Sequence, residues 1–158
     1  PDGALVDELE VPPAYRPGEG IGVRSNHGFE GLSVTPDGGR IVAAVETALV
    51  QDGEDADLGR GTTVRFVVFD ADSRRVVAER AYRVEPVPDE PSPPDAYRSI
   101  GVSEILALDG ERVERVASVV RPERGREWHL DPADDGVRRL DLEKRERAAL
   151  GSTRCPVK

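Results

Sequence analysis

The run VSEILALDGERV (102–113) can be laid over GFEGLSVTPDGGRI (28–41) so that Glu104 falls on Glu30, Leu106 on Leu32 and Leu108 on Val34, with an Asp-Gly turn following in each. The offset is 74 residues. A strand pattern that restarts in this way points to one structural unit used twice, and such a unit cannot bury its apolar face alone. The chain is thereby limited to folds in which similar β units stack on one another.

The residues inside the repeat agree. The alternation of apolar and polar positions that marks a half-buried strand runs through ALVDELEV (4–11), EGLSVT (30–35), RIVAAVE (40–46), TTVRFVVFD (62–70) and VVAERAYRV (76–84). The turn PDGG (36–39) joins two of these; its Pro presets φ and its Asp-Gly-Gly tolerates positive φ. ADSRR (71–75) joins the last two. The stretch EPVPDEPSPPDAYR (85–98) holds five prolines, lacks the backbone donors a sheet needs, and reads as a linker. Units of four antiparallel strands predict an all-β chain, a partial β-propeller of about two four-stranded antiparallel blades with an irregular C-terminal tail. Residues 1–112 are expected to be a propeller fragment: the end of one blade, a full blade at about 28–84, and the start of the next at about 99–112. Residues 113–158 are expected to be a divergent or poorly ordered continuation of the second blade.

Composition removes several function classes. A net charge of −9 argues against a nucleic-acid partner, because phosphate binding needs a basic face that releases counterions. No apolar run nears the roughly 18 residues of a membrane helix, so no membrane insertion is expected. Cys155 is the sole cysteine, which excludes an internal disulfide and a cysteine metal cluster. The chain lacks Met throughout and is expected to be a piece of a longer parent that carries the missing blades. Charge also divides the sequence: residues 1–112 hold 22 acidic and 11 basic side chains, and residues 113–158 hold 9 and 11.

The segments RSNHGFEGLSVTPDGGRIVAAVETALVQDG, VRFVVFDADSRRVVAERAYRVEPVP and GVSEILALDGER resemble, in order and spacing, the phytase-like domain of bacterial proteins described as having esterase-like activity of the phytase family. The likeness covers about residues 12–112, with NHGFEGLSVTPDG its most specific part. It implies a propeller, an extracellular or periplasmic location, and a hydrolase acting on small-molecule phosphate or carboxylic esters. Beyond Arg112 the pattern departs from the family. Only VERVASVV and VRRLDL keep a strand-like alternation there, and an altered reading frame or a divergent second unit would each explain the change.

A carboxylate at the mouth of a strand is unusual in an apolar core, but the innermost strand of a propeller unit lines a wet channel. Glu30 and Glu104 are expected to point into that shared space. Gathered carboxylates repel, which raises a pKa or recruits a cation, and oxygen ligands with a single nearby His suit Ca²⁺ better than Zn²⁺. Glu30, Glu104 and Glu46 are therefore the candidate metal ligands, Glu30 and His27 the candidate catalytic groups, and Asn26 and Arg24 the candidate substrate contacts. Against this stands a structural reading in which Glu30 and Glu104 accept backbone N–H groups, His27 caps a surface loop and Glu46 is solvated. The acidic loop QDGEDADLG lacks the ligand order of an EF-hand and reads as solvated. No serine stands in a G-x-S-x-G elbow. Two further functions stay open: a non-catalytic propeller that binds a ligand or protein, and a truncated remnant without activity.

Overall fold

The computed structural model describes residues 4–5, 8–109, 112–120 and 138–141. Its described part is all-β apart from two single turns of 3-10 helix, Pro13–Tyr15 and Val50–Asp52. The strands are β1 (Phe29–Val34), β2 (Arg40–Val45), β3 (Thr62–Asp70), β4 (Val76–Val84), β5 (Ser99–Ala107), β6 (Arg112–Val120) and β7 (Arg138–Asp141). They form an antiparallel four-stranded sheet ordered β1-β2-β3-β4 and an antiparallel three-stranded sheet ordered β5-β6-β7. β6 and β7 coincide with the two strand-like runs of the tail. Trp128, His129 and Cys155 lie outside the described residues.

Local chemistry accounts for the meander. Asp37 caps the β1–β2 turn, accepting the Gly39 N–H at 3.0 Å and the Thr35 hydroxyl at 2.6 Å, while Gly38 adopts φ +72°. These bonds hold the Asp37 carboxyl below its ordinary pKa. Asp70 does the same for the next turn through Ser73, whose N–H and hydroxyl it accepts at 2.8 and 2.7 Å.

The two central strands are buried on both faces, which is why IVAAV and FVVF read as near-continuous apolar runs rather than strict alternations. Register fixes the faces, since paired residues share a side. A Cβ on Gly31 would lie 3.1 Å from Ile105 and 3.2 Å from the Ala44 Cβ, so Ala44 and its partner Phe66 face the second sheet. On the opposite face Phe29, paired with Val45, stacks on Tyr15 with ring centroids 5.4 Å apart. One continuous core thus runs from Tyr15 through Val45, Phe66 and Val67 to Ile100, Val102 and Ile105.

One expectation changes. The described residues of Ala4–Val11 belong to no strand. Arg16 ties this segment down through the Val11 carbonyl (2.9 Å) and Glu10 (2.8 Å), and Leu9 packs on the core while Leu5 is exposed. The second sheet has three described strands, and the four-strand expectation for it reaches beyond the described residues. The two described sheets meet through β1 and β5 and are not closed.

A buried ion pair fastens the acidic loop to the first sheet. Arg65 donates two bonds of 2.5 Å to Asp52, whose side chain is only 4% exposed, and a third of 3.2 Å to Glu79. Bonding to Asp52 pushes the Arg65 pKa up, so the guanidinium stays charged. Removing one member of such a pair leaves a desolvated charge behind. Asp52→Ala is expected to lower unfolding free energy by about 3 kcal/mol in urea titration; a loss under about 1 kcal/mol would mean that solvent screens the pair.

Candidate functional site

The site is built from the turn before β1, the end of β2 and the acidic loop. Arg24, Ser25, Asn26 and His27 form a tight turn closed by the His27 N–H on the Arg24 carbonyl at 3.1 Å. Asn26 takes φ 61°, a conformation that its short polar side chain tolerates better than most, so its first role is to shape the turn. This presents His27 toward the opposite strand end. There Nδ1 lies 3.2 Å from the buried Thr47 hydroxyl and 3.7 Å from Asp55 Oδ2, while Nε2 lies 3.5 Å from the Tyr97 hydroxyl.

Glu46 follows β2 directly and is half-buried, not solvated. Its carbonyl accepts the Val102 N–H at 2.9 Å across the two sheets, and its own N–H bonds the Gly28 carbonyl at 2.9 Å. Gly101 makes room for it: a Cβ there would stand 2.8 Å from the Glu46 carbonyl oxygen and 2.9 Å from its Cγ. Burial raises the Glu46 pKa, the neighbouring Glu30 and Asp55 carboxylates raise it further, and His27 opposes them. Four of the groups around this strand end, Glu46, Glu30, His27 and Asp55, are therefore electrostatic neighbours.

Glu30 sits at a β-bulge, where the β1–β2 register slips between Phe29 and Gly31, and is exposed. An extra residue in a strand re-aims its side chain, so the carboxylate avoids the core. β5 bulges one repeat position earlier, at Ser103. Glu104 is likewise exposed, and its Oε1 accepts the Ile105 N–H at 3.1 Å. The carboxylates that act on Glu46 are Glu30 and Asp55. Among the described residues no three His, Cys, Asp or Glu side chains are placed to hold a metal ion. Glu104 stands on the second sheet, where the repeat placed it, and its Oε1 bonds its own backbone.

Arg24 organises the loop more than it faces outward. Its Nε donates to the Ala48 carbonyl at 3.2 Å and its Nη2 donates to the Gly53 carbonyl. The same Nε stands 3.2 Å from Asp55 Oδ1, a buried oxygen that accepts no hydrogen bond, so that contact is coulombic only. Further ion pairs join Arg60 to Glu54 at 2.7 Å and Arg98 to Asp57 at 2.5 Å. The acidic loop is thus exposed over much of its length, as a solvated loop is, and is also clamped by arginines. The proline-rich linker packs on it through a Leu58–Val87 bridge and the Arg98–Asp57 pair. Between them opens a cleft of about 450 Å³ walled by Arg24, Asp55, Asp57, Arg60, Tyr97 and Arg98.

Sequence reasoning singled out His27, Glu30 and Glu46 but missed Thr47, Asp55 and Tyr97. The acidic loop carried a signal for Asp55 in its charge; nothing local marked Tyr97. Among the described residues no helix is long and apolar enough to cross a membrane.

The model of the phytase-like family, described as "Esterase-like activity of phytase", matches residues 1–147, and the chain belongs to that family. The match continues well past Arg112, where the pattern of the sequence was expected to leave it. No curated protein and no solved structure matches the chain.

Two measurements probe this junction. A carboxylate whose pKa is raised by folding binds its proton more tightly in the folded state, so its charge costs nothing below the unfolded pKa and its full amount above the folded one. Glu46→Gln is expected to raise Tm at neutral pH, with the gain disappearing near pH 4; an unchanged Tm at pH 7 would show the carboxylate to be well solvated. Gly101→Ala is expected to lower stability by about 1–3 kcal/mol, because neither the Glu46 backbone nor its Cγ can move aside freely. Chemical denaturation measures it.

Proposed function

We propose that this chain forms part of a β-propeller hydrolase that cleaves phosphate or carboxylic esters, with Glu46, Glu30 and His27 as its acid–base groups. The observation that carries the reading is the half-burial of Glu46 beside two other carboxylates. Such an arrangement disfavours the charged form and costs stability, a pattern found at sites of acid–base chemistry. Glu30, exposed at its bulge, is a carboxylate in a contrasting environment, and pairs of carboxylates held apart in this way divide acid and base roles. Membership of a family named for esterase-like activity supports the reaction class.

The propeller arrangement draws support from the repeat. The Ala107 N–H donates to Ser33 Oγ at 2.9 Å, and these residues are 74 positions apart, the offset that relates Glu30 to Glu104. The two sheets would be neighbouring blades, with β1 and β5 innermost. Leu32 and Leu106, equivalent positions that are 63% and 57% exposed, would then face further blades. The same exposed leucines favour the second reading, a non-catalytic propeller that binds a ligand or protein partner through its surface.

Calcium is a separable part of the proposal. Glu30 and Glu46 would supply two of the six to eight oxygens that Ca²⁺ takes, and other oxygens would have to complete the shell. Purified protein is expected to turn over p-nitrophenyl acetate or p-nitrophenyl phosphate. Glu46→Gln and Glu30→Gln are each expected to lower kcat by about 10²-fold or more while the protein stays folded. Loss of turnover in EDTA, restored by Ca²⁺, is the expected sign of the ion. Turnover that neither substitution affects would end the assignment of Glu46 and Glu30 as its acid–base groups, and no turnover with a ligand retained would end the hydrolase reading in favour of the binding module.

A further inference from the structure

The imidazole of His27 cannot itself be the surface a substrate meets. Its side chain is 17% exposed, and both ring nitrogens already face protein groups: Nδ1 faces Thr47 and Asp55, and Nε2 faces Tyr97. His27 is absent from the wall of the cleft, whereas Tyr97 lines it and is 60% exposed. The phenol therefore stands between the partly buried ring and the open space. It is held there from both sides. Arg98, the next residue, pairs with Asp57 at 2.5 Å and reaches back to the Pro94 carbonyl at 3.3 Å, and Ala96 N–H bonds the Pro93 carbonyl at 3.0 Å.

Resting on the hydrolase reading above, we propose that Tyr97 is a further catalytic residue: its hydroxyl is the proton donor to the departing ester oxygen, relaying the acidity of His27 into the cleft.

The geometry suits one protonation state. With Asp55 and Thr47 facing Nδ1, a doubly protonated ring directs its Nε2–H at the Tyr97 oxygen, and the phenolic O–H is left to point outward. In the relay Tyr97 gives its proton to the leaving alkoxide and recovers one from His27 Nε2. The alkoxide becomes an alcohol, the imidazolium becomes a neutral imidazole, and the phenol ends unchanged. Asp55, with one oxygen buried and unbonded, holds negative charge beside the ring and stabilises its cation before transfer. The proline-rich segment thus belongs to the chemistry and not only to the connection between sheets.

A proton donor matters most when the leaving group is poor. The test compares p-nitrophenyl acetate, whose leaving group departs without help, with ethyl acetate, or the corresponding pair of phosphate monoesters, on the wild-type full chain and on Tyr97→Phe. The substitution is expected to lower kcat/KM about 10²-fold for the alkyl ester and less than about threefold for the nitrophenyl ester. Thermal denaturation should be unchanged, since the ring is exposed. Equal losses on both substrates, or no loss on either, with wild type active would overturn the relay and leave the hydrolase reading standing. A wild-type protein inactive on both pairs would overturn the hydrolase reading and the relay together.

Discussion

Everything distinctive about this molecule depends on how closely β1 and β5 approach. Gly31 lets the Ile105 side chain rest on the first strand, and Gly101 lets the Glu46 backbone come within hydrogen-bonding distance of Val102. Ser33 completes the junction by accepting the Ala107 N–H. Small residues at these points let two sheets share one core, and neither sheet would bury enough apolar surface alone. The same closeness sets the chemistry. Glu46 is half-buried because the second sheet lies over it, and a carboxylate drawn out of water beside Glu30 and Asp55 keeps its proton to higher pH.

A second constraint is electrostatic and works on the loops. The stretch from Thr47 to Gly61 looks like a run of repelling acids, yet Arg24, Arg60, Arg65 and Arg98 each take one of its carboxylates. Only the Asp52 pair is deeply shielded; the others are half-exposed and screened by solvent, so their contribution is more to shape than to stability. They fix the loop and the proline-rich linker as two walls of a cleft. An exposed Tyr97 on one wall and a partly buried His27 behind it are consequences of that clamp.

Much of this was legible in the sequence. The four strands of the first sheet, both turns and the two strands of the tail all follow from alternation and turn residues, because those signals are local. The offset of 74 residues identified positions that the fold brings together at Ser33 and Ala107. Ala4–Val11 misled because alternation shows that a segment has an apolar side, not that a partner strand exists. The C-terminal region misled in the opposite sense: its Arg-rich composition hid a family match that runs to residue 147. At the candidate site His27, Glu30 and Glu46 were marked by their place beside strand ends. Glu104 was marked by repeat symmetry, and its carboxylate accepts the Ile105 N–H of its own strand.

The sequence alone determined that this is an all-β chain of antiparallel meanders with one repeated unit and a carboxylate at each unit's first strand, since strand, turn and repeat are written in neighbouring residues. Tertiary structure decided which charges meet. Tyr97 reaches His27 across 70 positions, Arg98 reaches Asp57 across 41, and Glu46 is covered by a sheet that starts far along the chain. Such pairings depend on the three-dimensional path of the backbone, and burial, which shifts a pKa or empties a hydrogen-bonding shell, exists only once that path has closed on itself.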